Sequence, residues 1–341
     1  MEHGFRIKTF SGPDTFVSLS EINSIVRKFV AARQKLQDYL VSLFRELEAG
    51  VAPNMKFSPH AVAYLDILGF SKFVEDAEKD SDKLKQLDKL FSEVIPREAL
   101  PDGKNSTYPE IFEMKCLSIS DGFIVSAPVL EHPTHPALVV VSMKAIQIAH
   151  ALLDMGLLVR GAIAVGNVYR TDSNILGTAY QKAFNGEKNE VNSQIVLTES
   201  AEQNLNEFIN NEGVKFATFA KNESGQVILN SVHPEKCYLP DPRGDVNAYL
   251  KKYRDTILEN LSHEDPKARA KWLWFAGLFN ANIRYFSEIT DKSLAIDQEL
   301  PSIKINYLNP PTPPEDNFKW ATPFVAQGVF VKINTDVIKP E

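Results

Sequence analysis

Two aspartates, Asp66 and Asp121, stand where a carboxylate can do chemistry. Asp66 comes late in the apolar run His60 to Leu68, which reads as a buried strand; Gly69, Phe70 and Ser71 follow, and the spacing turns helical at Phe73, Val74 and Ala77. A carboxylate at the C-terminal tip of a strand, next to a Gly turn and a helix start, can hold a divalent cation. The free N–H groups of the first helical turn then face phosphate oxygens. The plainer alternative is that Asp66 only caps the helix. Asp121 sits in a tight-turn signal, Ser120-Asp121-Gly122, between two strand-like runs. If both tips meet, the two charges repel unless a cation lies between them. Magnesium or manganese suits so sparse an oxygen set beside phosphates. Two such ions lower the pKa of an attacking hydroxyl and neutralise a leaving pyrophosphate.

The elements that must position these residues follow from periodicity. Residues 1–17 read as irregular, and Ser18 with Glu21 forms a capping box ahead of a long amphipathic helix through Leu47, ended by Gly50. From 57 to 235, strands and helices alternate. The opening strand leads into a helical stretch through Val94, closed by Pro96, and then a loop at 101–110. Strands over 111–119 and 123–126 flank Asp121, a helix covers 137–153, and a strand covers 157–165 with a turn at Gly166-Asn167 and a return over 168–170. A helix at 177–187, a strand at 194–198 and a helix at 199–208 complete the region. The order strand, helix, strand, strand, helix, strand predicts an α+β, ferredoxin-like core, in which strands one and three are neighbours. That pairing is what would bring Asp121 to Asp66. Residues 245–290 read as helical and aromatic-rich, with Trp272, Trp274, Phe275, Phe279, Tyr285 and Phe286 expected in a core or a subunit contact. The Pro-punctuated stretch 300–323 reads as a wrapping or loosely ordered tail. The expected division is 1–56, an N-terminal helical extension; 57–235, the core; and 236–341, a C-terminal helical extension and tail.

Composition narrows the partners. The 341 residues are 44% hydrophobic and 24% charged, with a net charge of −7 and no basic block, which argues against nucleic acid. Two cysteines, Cys116 and Cys237, without a CxxC pair exclude a disulfide framework and suit a reducing compartment. No apolar leader and no run of about 18 apolar residues is read along the chain, so the expectation is a cytoplasmic protein without a membrane partner.

The segments Tyr64 to Ser71 and Ile119 to Ser126 resemble the two metal motifs of class III nucleotide cyclases. Leu158 to Val168 resembles that family's fourth core strand, and Gly177 to Glu187 is similar to the helix after it. The Arg-Gly-Ala strand, the Gly-x-Ala helix and a C-terminal Lys-Trp-x-Trp segment are similar to the bacterial anti-phage Pycsar pyrimidine nucleotide cyclases. The resemblance covers roughly 57–290. It implies that Asp66, Asp121 and the Ile67 carbonyl bind two manganese or magnesium ions, and that Leu68, Gly69, Phe70 and Ser71 hold a nucleoside triphosphate. The ribose 3′-hydroxyl would attack the α-phosphorus, giving a 3′,5′-cyclic nucleotide at a homodimer interface. A separate effector would sense that product in antiviral defence.

Departures from the family pattern shape the rest. Gln181 and Asn185 stand where adenylate and guanylate cyclases carry an Asn and a transition-state Arg, and an amide cannot replace a guanidinium on phosphate. Arg160, Arg170, Lys182 or Lys188 would then supply the cation. The purine-specificity Lys of the family falls on Leu117, which argues against ATP. Lys115 shares a strand face with Asp121 by alternation and could reach a base or phosphate, with a solvated lysine as the plainer alternative. The resemblance to the pyrimidine branch, taken with these departures, implies a uridylate cyclase (making cUMP), with cytidylate activity (cCMP) second. The alternatives are an inactive, cyclase-like nucleotide sensor and a ferredoxin-like dimerisation scaffold with no ligand.

Overall fold

The computed structural model describes residues 4–7, 15–18, 56–95, 98–99, 105–106, 113–130, 136–171, 173–212, 218–241, 244–300 and 305–307. The chain divides into two units, Phe57–Phe324, and Met1–Lys56 with Val325–Glu341. In the second unit, Gly4–Ile7 pairs antiparallel with Thr15–Ser18. The expected irregular start is therefore corrected. Aromatic and β-branched residues (Phe5, Ile7, Phe16, Val17) give both segments a strand composition. The expected long helix through Leu47 lies outside the described residues. Within the expected loop at 101–110, Asn105–Ser106 pairs with Glu98–Ala99.

A nine-stranded sheet organises the larger unit. Its strands are β1 Ser58–Leu68, β2 Lys115–Ile119, β3 Gly122–Pro128, β4 Leu158–Arg170, β5 Ile175–Gly177, β6 Ile195–Leu197, β7 Phe219–Lys221, β8 Val227–Leu229 and β9 Asn306–Tyr307. Their order is β9-β7-β8-β6-β4-β1-β3-β2, with β5 on β4. The first four strands run 4-1-3-2 with every pairing among them antiparallel, the ferredoxin-like arrangement expected from the element order; β6 then adds parallel to β4.

β1 is apolar on both faces because both are covered. On one face Ala61, Ala63 and Leu65 pack under α3, Ala137–Asp154, every residue of which except Asp154 is buried. By length and composition α3 is apolar enough to cross a membrane, a feature the sequence reading did not register; here it is the central core helix. Each fully buried Leu, Ile or Val on it contributes about 1.5–3 kcal/mol. On the other face Val62, Ile124 and Ala164 meet Ala179 and Ala183 of α4, Thr178–Lys188. Small residues on both sides let α4 lie close to the sheet.

Four expectations change. The stretch after β1 forms two helices, α1 Phe70–Ala77 and α2 Ser81–Lys89, because Asp80 caps a new start by accepting N–H bonds from Asp82 and Lys83. β4 runs unbroken through Gly166-Asn167, since it pairs with β1 as far as Val168 opposite Ser58. The reversal comes instead at Thr171, whose Oγ1 accepts the Asn174 N–H before β5 returns. After α5, Glu199–Glu212, the helical region 245–290 is likewise two helices, α6 Val246–Asn260 and α7 Pro266–Tyr285, with Asp265 capping α7 through the Lys267 N–H at 2.9 Å. Trp272, Phe275 and Phe279 are buried in a second core with Leu250 and Tyr253. Within the Pro-punctuated stretch, Asn306–Tyr307 is not a loose tail but adds a strand beside β7.

Candidate active site

Asp66 and Asp121 arrive at the same end of the sheet. Asp66 lies opposite Gly122 in the β1–β3 register, and the Ile67 N–H donates to the Asp121 carbonyl at 2.9 Å. Gly122 is required beside this turn, because a Cβ there would sit 2.9 Å from the Tyr64 hydroxyl. Burial pushes the Asp66 carboxyl above its ordinary range. The Arg160 guanidinium pulls it back, and the neighbouring Asp121 charge pushes it up again.

Asp66 does not cap the helix that follows. The N-cap of α1 is Gly69, at φ 83°, and among the described residues no side chain accepts a bond from the first turn. The Phe73 N–H is the first to bond back, to the Gly69 carbonyl at 3.2 Å. The N–H groups of Phe70, Ser71 and Lys72 are therefore left for a ligand or water, with no acidic side chain in that turn to repel an anion. Leu68 and Phe70 anchor the turn, one in each apolar core.

Arg160 stands directly opposite Asp66 on β4. Its Nη2 is 3.1 Å from Asp66 Oδ2 and 2.5 Å from Glu187 Oε1, and its Nη1 donates to the Glu190 carbonyl at 3.0 Å. Glu187 comes from the buried face of α4, and burial raises its carboxyl while Arg160 opposes that rise. The guanidinium is committed to two carboxylates. It positions Asp66 rather than standing free for a phosphate. Glu187 was missed in the sequence because it falls at the last residue of the quoted helix, and its spacing from Arg160 follows no local period.

Cross-strand rows on the α4 side order the remaining candidates. Arg160, Asp66, Gly122 and Ile119 form one row; Ala162, Tyr64, Ile124 and Leu117 the next; Ala164, Val62, Ser126 and Lys115 the third. Lys115 therefore lies two rows and two strands from Asp66, roughly 13 Å away along the strands at about 3.4 Å per residue. Sharing a face with Asp121 does not bring it to the carboxylates. Arg170 also belongs to the distant end, donating to the Ser126 carbonyl at 3.0 Å and to its hydroxyl at 3.1 Å. Gln181 and Asn185 lie on the exposed side of α4. Lys182 is exposed, and the Lys188 ammonium sits 4.1 Å above the Phe184 ring. Tyr64 packs edge-on against Phe184 at 5.1 Å, and its hydroxyl is pushed up to about 12, chiefly by burial and next by Asp66. One cation was not anticipated. The charge of Lys271, on α7, acts on Asp66.

The strand order and the two strand-end carboxylates define a ferredoxin-like sheet with an acidic site beside an uncapped helix start. No family model matches the sequence, and no curated protein matches it. Solved structures similar to the chain include a bacterial light-regulated adenylyl cyclase, at 13% identity and a TM-score of 0.36, covering 62% of this chain and 65% of that one. The chain thus spans just under two thirds of that cyclase's length. The guanylyl cyclase Cya2 is 14% identical with a TM-score of 0.34, covering 51% of this chain and 91% of its own. The catalytic core of a rhodopsin-guanylyl cyclase with converted specificity, in complex with ATPαS, is 15% identical with a TM-score of 0.32, covering 51% and 96%. At such identities and superpositions no chemistry transfers from those proteins to this chain.

Proposed function

We propose that the protein is a metal-dependent pyrimidine nucleotide cyclase, converting UTP, or secondarily CTP, to the 3′,5′-cyclic monophosphate and pyrophosphate. One observation carries the reading: two carboxylates at the same sheet end, beside a helix start that no side chain caps among the described residues. Among the described residues no group of three or more His, Cys, Asp or Glu side chains gathers as a complete metal cage. A two-carboxylate set nonetheless fits magnesium or manganese, which take one or two carboxylates and complete their shell with water and substrate phosphates. Asp66, Asp121 and the Ile67 carbonyl would hold the ions. Once bound, the metal acidifies the attacking 3′-hydroxyl and neutralises charge on the leaving group.

The chain's own residues do the positioning. Arg160 and Glu187 fix the Asp66 carboxylate, and the Leu68–Ser71 turn receives the triphosphate. The 3′-oxygen bonds to the α-phosphorus as the bond to the bridging oxygen breaks. That electron pair leaves on pyrophosphate, and the hydroxyl proton passes to water. Leu117, apolar and in the same cross-strand row as Tyr64, lacks the donor a purine site would use, which favours a pyrimidine. The exposed face of α4 bearing Gln181 and Asn185 suits a two-fold homodimer. A cyclic pyrimidine nucleotide would act as a cytoplasmic second messenger in anti-phage defence, read by a separate effector.

A second reading, an inactive nucleotide sensor, is favoured by the commitment of Arg160 to Asp66 and Glu187. Purified protein incubated with manganese and each nucleoside triphosphate, with products identified by mass, separates the two. A cyclic pyrimidine monophosphate supports the first reading; triphosphate binding without product supports the second.

A further inference from the structure

Arg160, opposite Asp66 on β4, is already held by Asp66 and Glu187, and the geometry points to α7 as the element that supplies a further cation. We propose that Lys271 is a substrate-contacting residue that binds the terminal phosphates of the triphosphate, so that the C-terminal helices complete the active site. This rests on the cyclase reading given above.

Three observations bring α7 to the site. The row beyond Asp66 and Arg160 is Leu68 and Leu158, and both pack into the core built around Trp272 and Phe275. The phosphate turn and α7 therefore share one apolar seam, with Lys271 immediately before Trp272. Next, the Ser193 hydroxyl donates to the Lys271 carbonyl at 3.5 Å. That bond ties this turn of α7 to the segment whose Glu190 carbonyl holds Arg160. Finally, the Lys271 ammonium is one of the charges acting on Asp66. Lys271 is partly buried, whereas Arg269, nearly opposite on the helix, is exposed.

Lysine suits the task. Its ammonium is a compact charge on a flexible stem and binds phosphate without needing a planar partner. In that position it stabilises the negative charge that builds on the departing pyrophosphate. This answers the departure on α4, where Gln181 and Asn185 offer only amides.

The test compares wild type, Lys271→Ala, Lys271→Arg and Arg269→Ala in the full chain. Two quantities are read: turnover of each nucleoside triphosphate with manganese, and calorimetric binding of manganese with inorganic tripolyphosphate, a probe without a base. Lys271→Ala is expected to lower both by roughly ten- to a hundred-fold, the loss of one charge-assisted contact. Lys271→Arg should recover part of each, and Arg269→Ala should change neither. If Lys271→Ala melts early, Lys271→Gln, which keeps most of the stem, carries the same expectation. Should the Lys271 variants stay within twofold of an active wild type, Lys271 has no such role and the cyclase reading stands. Should wild type neither bind manganese tripolyphosphate nor form a cyclic product, both proposals fall together.

Discussion

Asp66 takes part in two relationships that pull in opposite directions. Burial and the nearby Asp121 favour its protonated form, while Arg160, held by Glu187, favours its charge. A cation shared with Asp121 would relieve the repulsion and still leave Arg160 its Glu187 partner. Asp66→Ala and Asp121→Ala are each expected to abolish cyclisation in a manganese assay while leaving the circular dichroism spectrum unchanged. Near-normal turnover in either variant would remove that residue from the ligand set. Both aspartates were legible in the sequence, because strand-end and turn positions are local features. Glu187 and Lys271 were not, since each reaches Asp66 through a fold-dependent approach of a separate helix.

At the scale of elements, the start of α1 is the most exposed to substitution. Gly69 adopts φ 83°, and a Cβ there would find its nearest neighbour, Leu157, at 4.0 Å. The cost of a side chain is therefore in the backbone, about 1–2 kcal/mol for an ordinary L-residue. Gly69→Ala should lower the melting temperature and weaken triphosphate binding; Gly69→Asn, tolerant of the left-handed region, should do less of both. If the two variants match wild type in melting and binding, the turn is not the cradle.

A second seam joins α3 to the C-terminal helices. His150 of α3 faces the Tyr253 hydroxyl of α6 at 3.2 Å, and His233 packs on Phe286 with ring centroids 4.8 Å apart. Burial lowers the His150 pKa to about 4 and that of His233 to about 3, the latter lowered further by the His150 charge. For a base, a depressed folded pKa means that the unfolded chain binds protons first as pH falls below about 6.5. Stability is then full above that pH and declines toward pH 4, by about 2 kcal/mol per imidazole between pH 7 and 5. Urea titrations at the two pH values should show the drop, and His233→Leu should remove its share of it. An equal drop in that variant would assign the pH dependence to other groups.

For the whole molecule, ligand linkage gives the broadest test. With only two carboxylates, manganese alone should raise the melting temperature little, and a non-cyclisable triphosphate alone should do the same. Together they should stabilise the protein by about 2.7 kcal/mol at a hundredfold excess over Kd. A shift that is merely the sum of the two separate effects would argue against a shared site.

What the sequence by itself determined is what is periodic or local. The apolar run of β1, the glycine after it, the hairpin at Asp121 and the helix faces of α3 and α4 follow from side-chain alternation and backbone preference, and the ferredoxin-like order follows from the succession of elements. Alternation assigns a side chain to a face but not to a row. Lys115 was thus placed on the correct side of the sheet, yet only strand pairing showed its distance from Asp66. Tertiary structure alone decided that β4 continues through Gly166, that Arg160 is shared between Asp66 and Glu187, and that α7 carries Lys271 to the same end of the sheet. Those outcomes depend on which apolar surfaces bury one another across long stretches of chain, and no local pattern of residues encodes that.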